Sequence, residues 1–189
     1  GVGVTFPLME LGGFEMKWHP RLDSMEIGTF GYPFEFYNRY VNLIGKINIS
    51  KKGAYGSGIM SSKGAVTISQ KINYSEKTFV AHKADFEILS DVRGKPAMRS
   101  DLVKVSVDIE SNMASFEPED ERANNEFPFL SYKTSLNEGI WYIDKRRVEM
   151  ELSEGKDIRS SYFYSTRKRQ DSISFYATKA IYPMDSLKL

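Results

Sequence analysis

The sequence predicts an all-β fold, either a β-sandwich or jelly-roll or a solenoid-like stack of sheets. Three observations carry that expectation. Apolar and polar residues alternate over most of the chain, turn residues recur at short intervals, and helical spacing is rare. A period of two puts successive side chains on opposite faces of a strand, one buried and one wet. Antiparallel and solenoid sheets read this way, whereas strands covered on both faces read as continuous apolar runs.

In chain order, Tyr37, Tyr40, Val41 and Ile44 have helical spacing after Pro33 and leave room for one short helix. Its aromatic and Asn content makes it a weak one. The phrase "KKGAYGSG" is a turn signal. Its glycines resemble a phosphate loop, but no GK[ST] follows, so a strand with close backbone approach or a bulge is expected. In "AVTISQKINYS", Val66, Ile68, Ile72 and Tyr74 fall on one face. Val103, Val105, Val107 and Ile109 alternate in the same way, as do Val148, Met150 and Leu152. Between these segments stand the turn phrases "SSKG", "DVRGKP" and "SEGKD". Residues 113–125, "MASFEPEDERANN", are acidic and turn-rich and read as an exposed loop. That loop would join two loose halves, 1–112 and 126–189, of a single domain over 1–189.

Two segments echo each other. Phe79, Ala81, Lys83, Ala84 and Phe86 recur in order as Phe175, Ala177, Lys179, Ala180 and Tyr182. Each follows an upstream strand phrase, "ISQKINYS" and "IRSSYFYS", so the expected unit is strand–turn–strand, used twice. In each copy the apolar frame slips by one residue, at His82–Lys83 and at Thr178–Lys179. A regular strand would turn every side chain over at such a step, so a bulge or corner is expected at both.

Composition excludes several classes of function. Lys and Arg number 26 against 25 Asp and Glu, so no global field attracts nucleic acid or an anionic membrane. The basic triplets Lys145–Arg147 and Arg167–Arg169 lack a surrounding positive excess, and no nucleic-acid partner is expected. The chain has no cysteine and only two histidines, His19 and His82, which argues against disulfides and against a zinc site. No acid stands in a recognisable catalytic or calcium-loop motif, so no catalytic residue, metal or cofactor is assigned. Aromatic residues, 13% of the chain, are the candidates for binding. Trp18, Tyr132, Trp141 and Tyr142 are singled out, the last two because adjacent strand residues face opposite ways.

The stretches "GSGIMSSKGAVTISQKINYSEKTFVAHKADFEI", "KPAMRSDLVKVSVD" and "NNEFPFLSYKTSLNEGIWYIDKRRVEM" resemble a segment of large, exported, β-rich proteins of Bacteroidota. The resemblance covers most of residues 55–189 and brings no catalytic residues with it. It implies export to the periplasm, outer membrane or cell surface, and makes the chain a piece of something longer. It also implies O-glycosylation at Asp–Ser–apolar sites, which here are Ser24, Ser172 and Ser186. A looser likeness, carried by "FxAxxAxF", is to periplasmic lipopolysaccharide-transport β-folds, whose open jelly-roll modules stack edge to edge. The expected function is a non-catalytic structural or interaction module of a large envelope or cell-surface protein. Its partners would be flanking β modules of the parent chain or envelope proteins. The alternative is a jelly-roll module that binds a glycan or lipid on exposed aromatics.

Overall fold

The structure is a computed structural model and describes residues 4–91, 95–136, 138–169 and 173–184. It is all-β: 17 antiparallel strands in one sheet that does not close into a barrel, with no α-helix among the described residues. The strands are β1 (Met9–Leu11), β2 (Phe14–His19), β3 (Ser24–Thr29), β4 (Phe34–Phe36), β5 (Val41–Ser50) and β6 (Gly53–Ser62). Next come β7 (Ala65–Tyr74), β8 (Thr78–Ile88), β9 (Met98–Asp108), β10 (Met113–Pro118), β11 (Asn124–Phe127) and β12 (Tyr132–Thr134). The last five are β13 (Glu138–Tyr142), β14 (Arg147–Glu151), β15 (Tyr162–Ser165), β16 (Ser174–Tyr176) and β17 (Lys179–Pro183).

The sheet is a trunk with forks at both ends. Strands β5 to β9 form the trunk in sequence order. On one flank β5 pairs with β4 along its first half and with β3 along its second; β1 then adds to β4, and β2 to β3. On the other flank β9 pairs with β11 near its start and with β10 beyond it. From there one arm runs β10, β13, β14, β17 and the other β11, β12, β15, β16.

A crease runs across the trunk between the forks. Gly45 and Gly58 face each other in it, β7 carries an extra residue at Gln70–Lys71, and Lys83 and Leu102 take left-handed backbone, φ 43° and 56°. An extra residue in one strand bends it and raises its twist. It also keeps a single face buried: Phe79 and Ala81 before Lys83, then Ala84, Phe86 and Ile88 after it. The frame slip expected at His82–Lys83 is this bulge. The same device corrects the reading of β7. Ala65, Thr67 and Ser69 are inward before the bulge and Ile72 and Tyr74 after it, so Ile68 points outward instead of sharing their face.

Bent in this way, the sheet curls over a single core. Phe86 of β8 meets Phe116 of β10 and Trp141 of β13, each at 6.2 Å between ring centroids. The Tyr40 hydroxyl reaches Asn112 at 3.0 Å, and Lys63 pairs with Asp144 at 3.2 Å, so hairpin ends far apart along the sheet meet in space.

Three other expectations are corrected. No helix follows Pro33: Tyr37, Asn38 and Arg39 form a left-handed turn, φ 52°, 55° and 69°, and β5 begins at Val41. Tertiary contacts hold that turn, since the Tyr37 hydroxyl donates to the Ser75 and Thr78 carbonyls at 3.0 and 2.8 Å. Residues 113–125 are not a loop between halves. Their first six form β10, with Ala114 and Phe116 buried, and the last two open β11. The two echoing segments, finally, are not equivalent. β8 lies between β7 and β9 along its length, whereas β16 and β17 are edge strands on different arms. Tyr182 is buried, but Phe175 is 46% exposed, and Ala177 and Ala180 are only half-buried. The strand does break near Thr178, where it changes partner from β15 to β14. Residues 170–172 of the second turn lie outside the described residues.

Candidate functional site

The four aromatic candidates do not come together. Trp141 is 3% exposed and packs on the inner face against Phe86, so it is core. Tyr132 is half-buried, edge-on to the Phe175 ring at 6.0 Å. Tyr142 is on the outer face, with Lys145 and Arg147 over its ring at 5.1 and 5.5 Å. Those cations occupy the π-surface that a sugar would need. Trp18 alone is open, at 52%, on β2. Of the glycosylation candidates, Ser24 is 7% exposed within β3, too enclosed in this fold to present its hydroxyl. Ser172 and Ser186 lie outside the described residues.

A shallow cleft of about 710 Å³ lies on the outer face of β8, β9, β10, β13 and β14. Val80, Ser106, Ser115 and Ile140 stand side by side across its floor. Lys104 pairs with Glu117 and Lys179 with Glu151, each at 2.6 Å, and Arg147 with Glu149 at 2.6 Å, while Glu138 accepts from the Ser153 hydroxyl. The hydrogen bonds to Glu117 and Glu151 hold Lys104 and Lys179 above the ordinary ammonium range. Among the described residues neither histidine is hydrogen-bonded to a hydroxyl.

A tighter polar cluster sits on the crease. His82 Nδ1 lies 2.6 Å from Glu119 Oε1, and its Nε2 lies 3.3 Å from the Asn73 amide. The Lys83 backbone N–H, freed from the ladder by the bulge, donates to Glu119 Oε2 at 2.5 Å. Ser69 spans the facing bulges, donating to the His82 carbonyl at 2.5 Å and accepting from the Lys71 N–H at 3.0 Å. The Lys71 and Lys83 N–H groups and the His82 carbonyl, backbone groups at the bulges, thus find side-chain partners, which makes the cluster a pin for the bend. The acidic run, read from sequence as solvated, thus contains a structural residue.

Burial pushes the Glu119 carboxyl up, but the His82 and Lys83 bonds outweigh it and hold the group below its ordinary value. The folded state therefore takes up this proton at lower pH than the unfolded chain. The resulting stability is in place above about pH 4–5 and drains away as pH falls through the folded value. Replacing Glu119 by Gln is expected to cost about 1–2 kcal/mol at pH 7. In urea melts from neutral pH to about pH 3, the wild-type advantage should shrink as pH falls. A constant difference across that range would contradict the role.

Sequence reasoning missed one feature and did not locate a second. Tyr162, Tyr164 and Tyr176 stand together on the outer face of β15 and β16, with Tyr162 directly opposite Tyr176 and 5.9 Å from Tyr164. The alternation in "SYFYS" carries the signal, since an inward Phe163 sends both tyrosines out. The second is the set of free sheet edges. Among the described residues β1, β2, β16 and β17 each have one neighbour. Large apolar residues are exposed there, among them Phe14, Met16, Trp18, Phe175, Tyr176 and Ile181. Comparisons with protein-family models, curated proteins and solved structures find no match to this chain.

Proposed function

We propose that the chain is a non-catalytic structural or interaction module of a large exported envelope or cell-surface protein, one that joins neighbouring β modules through its sheet ends. The observation that carries this is the open sheet, three of whose free edge strands, β2, β16 and β17, expose apolar residues. Solitary proteins guard their edges with charge, proline, bulges or covering segments. An edge left open and apolar suits the addition of further strands. Hydrogen exchange tests the reading. In the longer parent chain the edge amides of β16 and β17 should exchange more slowly than in the isolated module. Equal exchange in both would sink it.

The tyrosine group favours a second reading, a glycan-binding face, because three exposed rings on one surface form a stacking platform. That reading requires that replacing Tyr162 and Tyr164 by Ala abolish binding in a glycan screen. A screen with no binder, or binding that survives the replacement, would remove it.

A further inference from the structure

In β2, Phe14, Met16 and Trp18 point to one side and Glu15 and Lys17 to the other. Met16 lies beside Ile27 of β3, which lies beside Ile47 of β5, and both isoleucines are buried. The inner face of the sheet therefore continues past the core onto β2, where Phe14, Met16 and Trp18 are 48, 57 and 52% exposed. Glu15 and Lys17 form no ion pair among the described residues, and the far edge of β2 has no strand beside it.

We propose that this edge docks a second copy of the chain, antiparallel, through a two-fold axis at Met16. The segment "FEMKW" is a chemical palindrome: aromatic, acid, methionine, base, aromatic. Laid against itself, it sets Glu15 opposite Lys17 of the second copy, twice over. It sets Phe14 opposite Trp18 of the second copy, twice, and Met16 opposite its own copy. Self-complementarity of this kind is what a two-fold interface requires. The register is also singular. A shift of two residues opposes Lys17 to Lys17 or Glu15 to Glu15. A shift of one puts apolar residues opposite charged ones and breaks the face. Lysine on an edge normally deters pairing; in this register Lys17 meets a partner instead. The contact is one short strand on each side, so it belongs with small, weak interfaces below about 1,200 Å² and depends on concentration. The proposal deepens the interaction-module reading and rests on it only in taking a sheet end as the interface.

Sedimentation velocity over about 5–500 µM, the range suited to a small interface, tests it. The wild type should shift from monomer to dimer with concentration, and Trp18 should become shielded from acrylamide as it does so. Glu15→Lys alone and Lys17→Glu alone should each weaken association about tenfold or more, by opposing like charges. The double variant Glu15→Lys with Lys17→Glu should recover the wild-type affinity, and a mixture of the two single variants should form a heterodimer. These variants also settle any doubt over folding, because the double variant carries both changes. The inference is overturned by a wild type that stays monomeric throughout, by a dimer indifferent to the single reversals, or by a double variant no better than the singles. None of these outcomes bears on the exchange test of β16 and β17, so the two readings fail separately.

Discussion

Gly58→Ala is expected to destabilise the fold by about 3–5 kcal/mol. Gly45 and Gly58 stand opposite each other in β5 and β6, on the crease, with φ 158° and 139°. A Cβ on Gly58 would lie 2.8 Å from the Gly45 Cα and closer still to the Ile44 carbonyl oxygen. Both obstacles are backbone, so relief requires the two strands to separate. Separation would also disturb the fork, where the Thr29 hydroxyl accepts from the Gly45 N–H at 3.1 Å and donates to the Gly45 carbonyl at 3.3 Å. Gly28→Ala is the control: nothing lies within 4 Å of its added Cβ, and its backbone is outside the left-handed region. It should change stability by no more than about 1 kcal/mol, in either direction. Urea midpoints for the two variants decide the matter, and similar midpoints would refute the close approach at the crease.

Phe86→Ala should cost about 3–5 kcal/mol. Its ring is almost fully buried and stands where β8, β10 and β13 converge, against Phe116 and Trp141. Removing it leaves a cavity that a trunk strand hydrogen-bonded on both sides cannot close by moving. Trp141 emission gives a local readout, and it should shift to the red as the indole loses its packing. Phe175→Ala provides the contrast. That ring stacks on Phe163 at 5.3 Å, but from an exposed edge strand, so roughly 1 kcal/mol is expected. Equal losses at the two positions would mean that Phe86 does not close the curl.

The echo between the two segments shows where sequence reasoning stops. It located a frame slip at Lys83, because a change in the parity of buried residues is local information. It could not tell that β8 would have two neighbours and β17 one, since pairing depends on residues far away in sequence. Trp141 and Trp18 make the same point. Both are tryptophans in alternating strands, yet one is core and the other is open. Their difference lies in whether another part of the sheet curls over them.

Local pattern was enough to show that this chain is all-β, that its strands bury one face, and that one of them bends at Lys83. Alternation, turn residues and the run of inward positions on either side of the bulge are properties of neighbouring residues. Long-range packing made the pairing antiparallel, "MASFEP" a strand, Tyr37–Arg39 a left-handed turn, and Glu119 the pin of the crease. It also decided which edges stay open. These outcomes are set by partners: Trp141 opposite Ala114, the hairpin carbonyls of Ser75 and Thr78, and a bulge N–H of Lys83 that needed an acceptor. Such partners lie 27 to 41 residues away, and a pattern with a period of two carries no record of them.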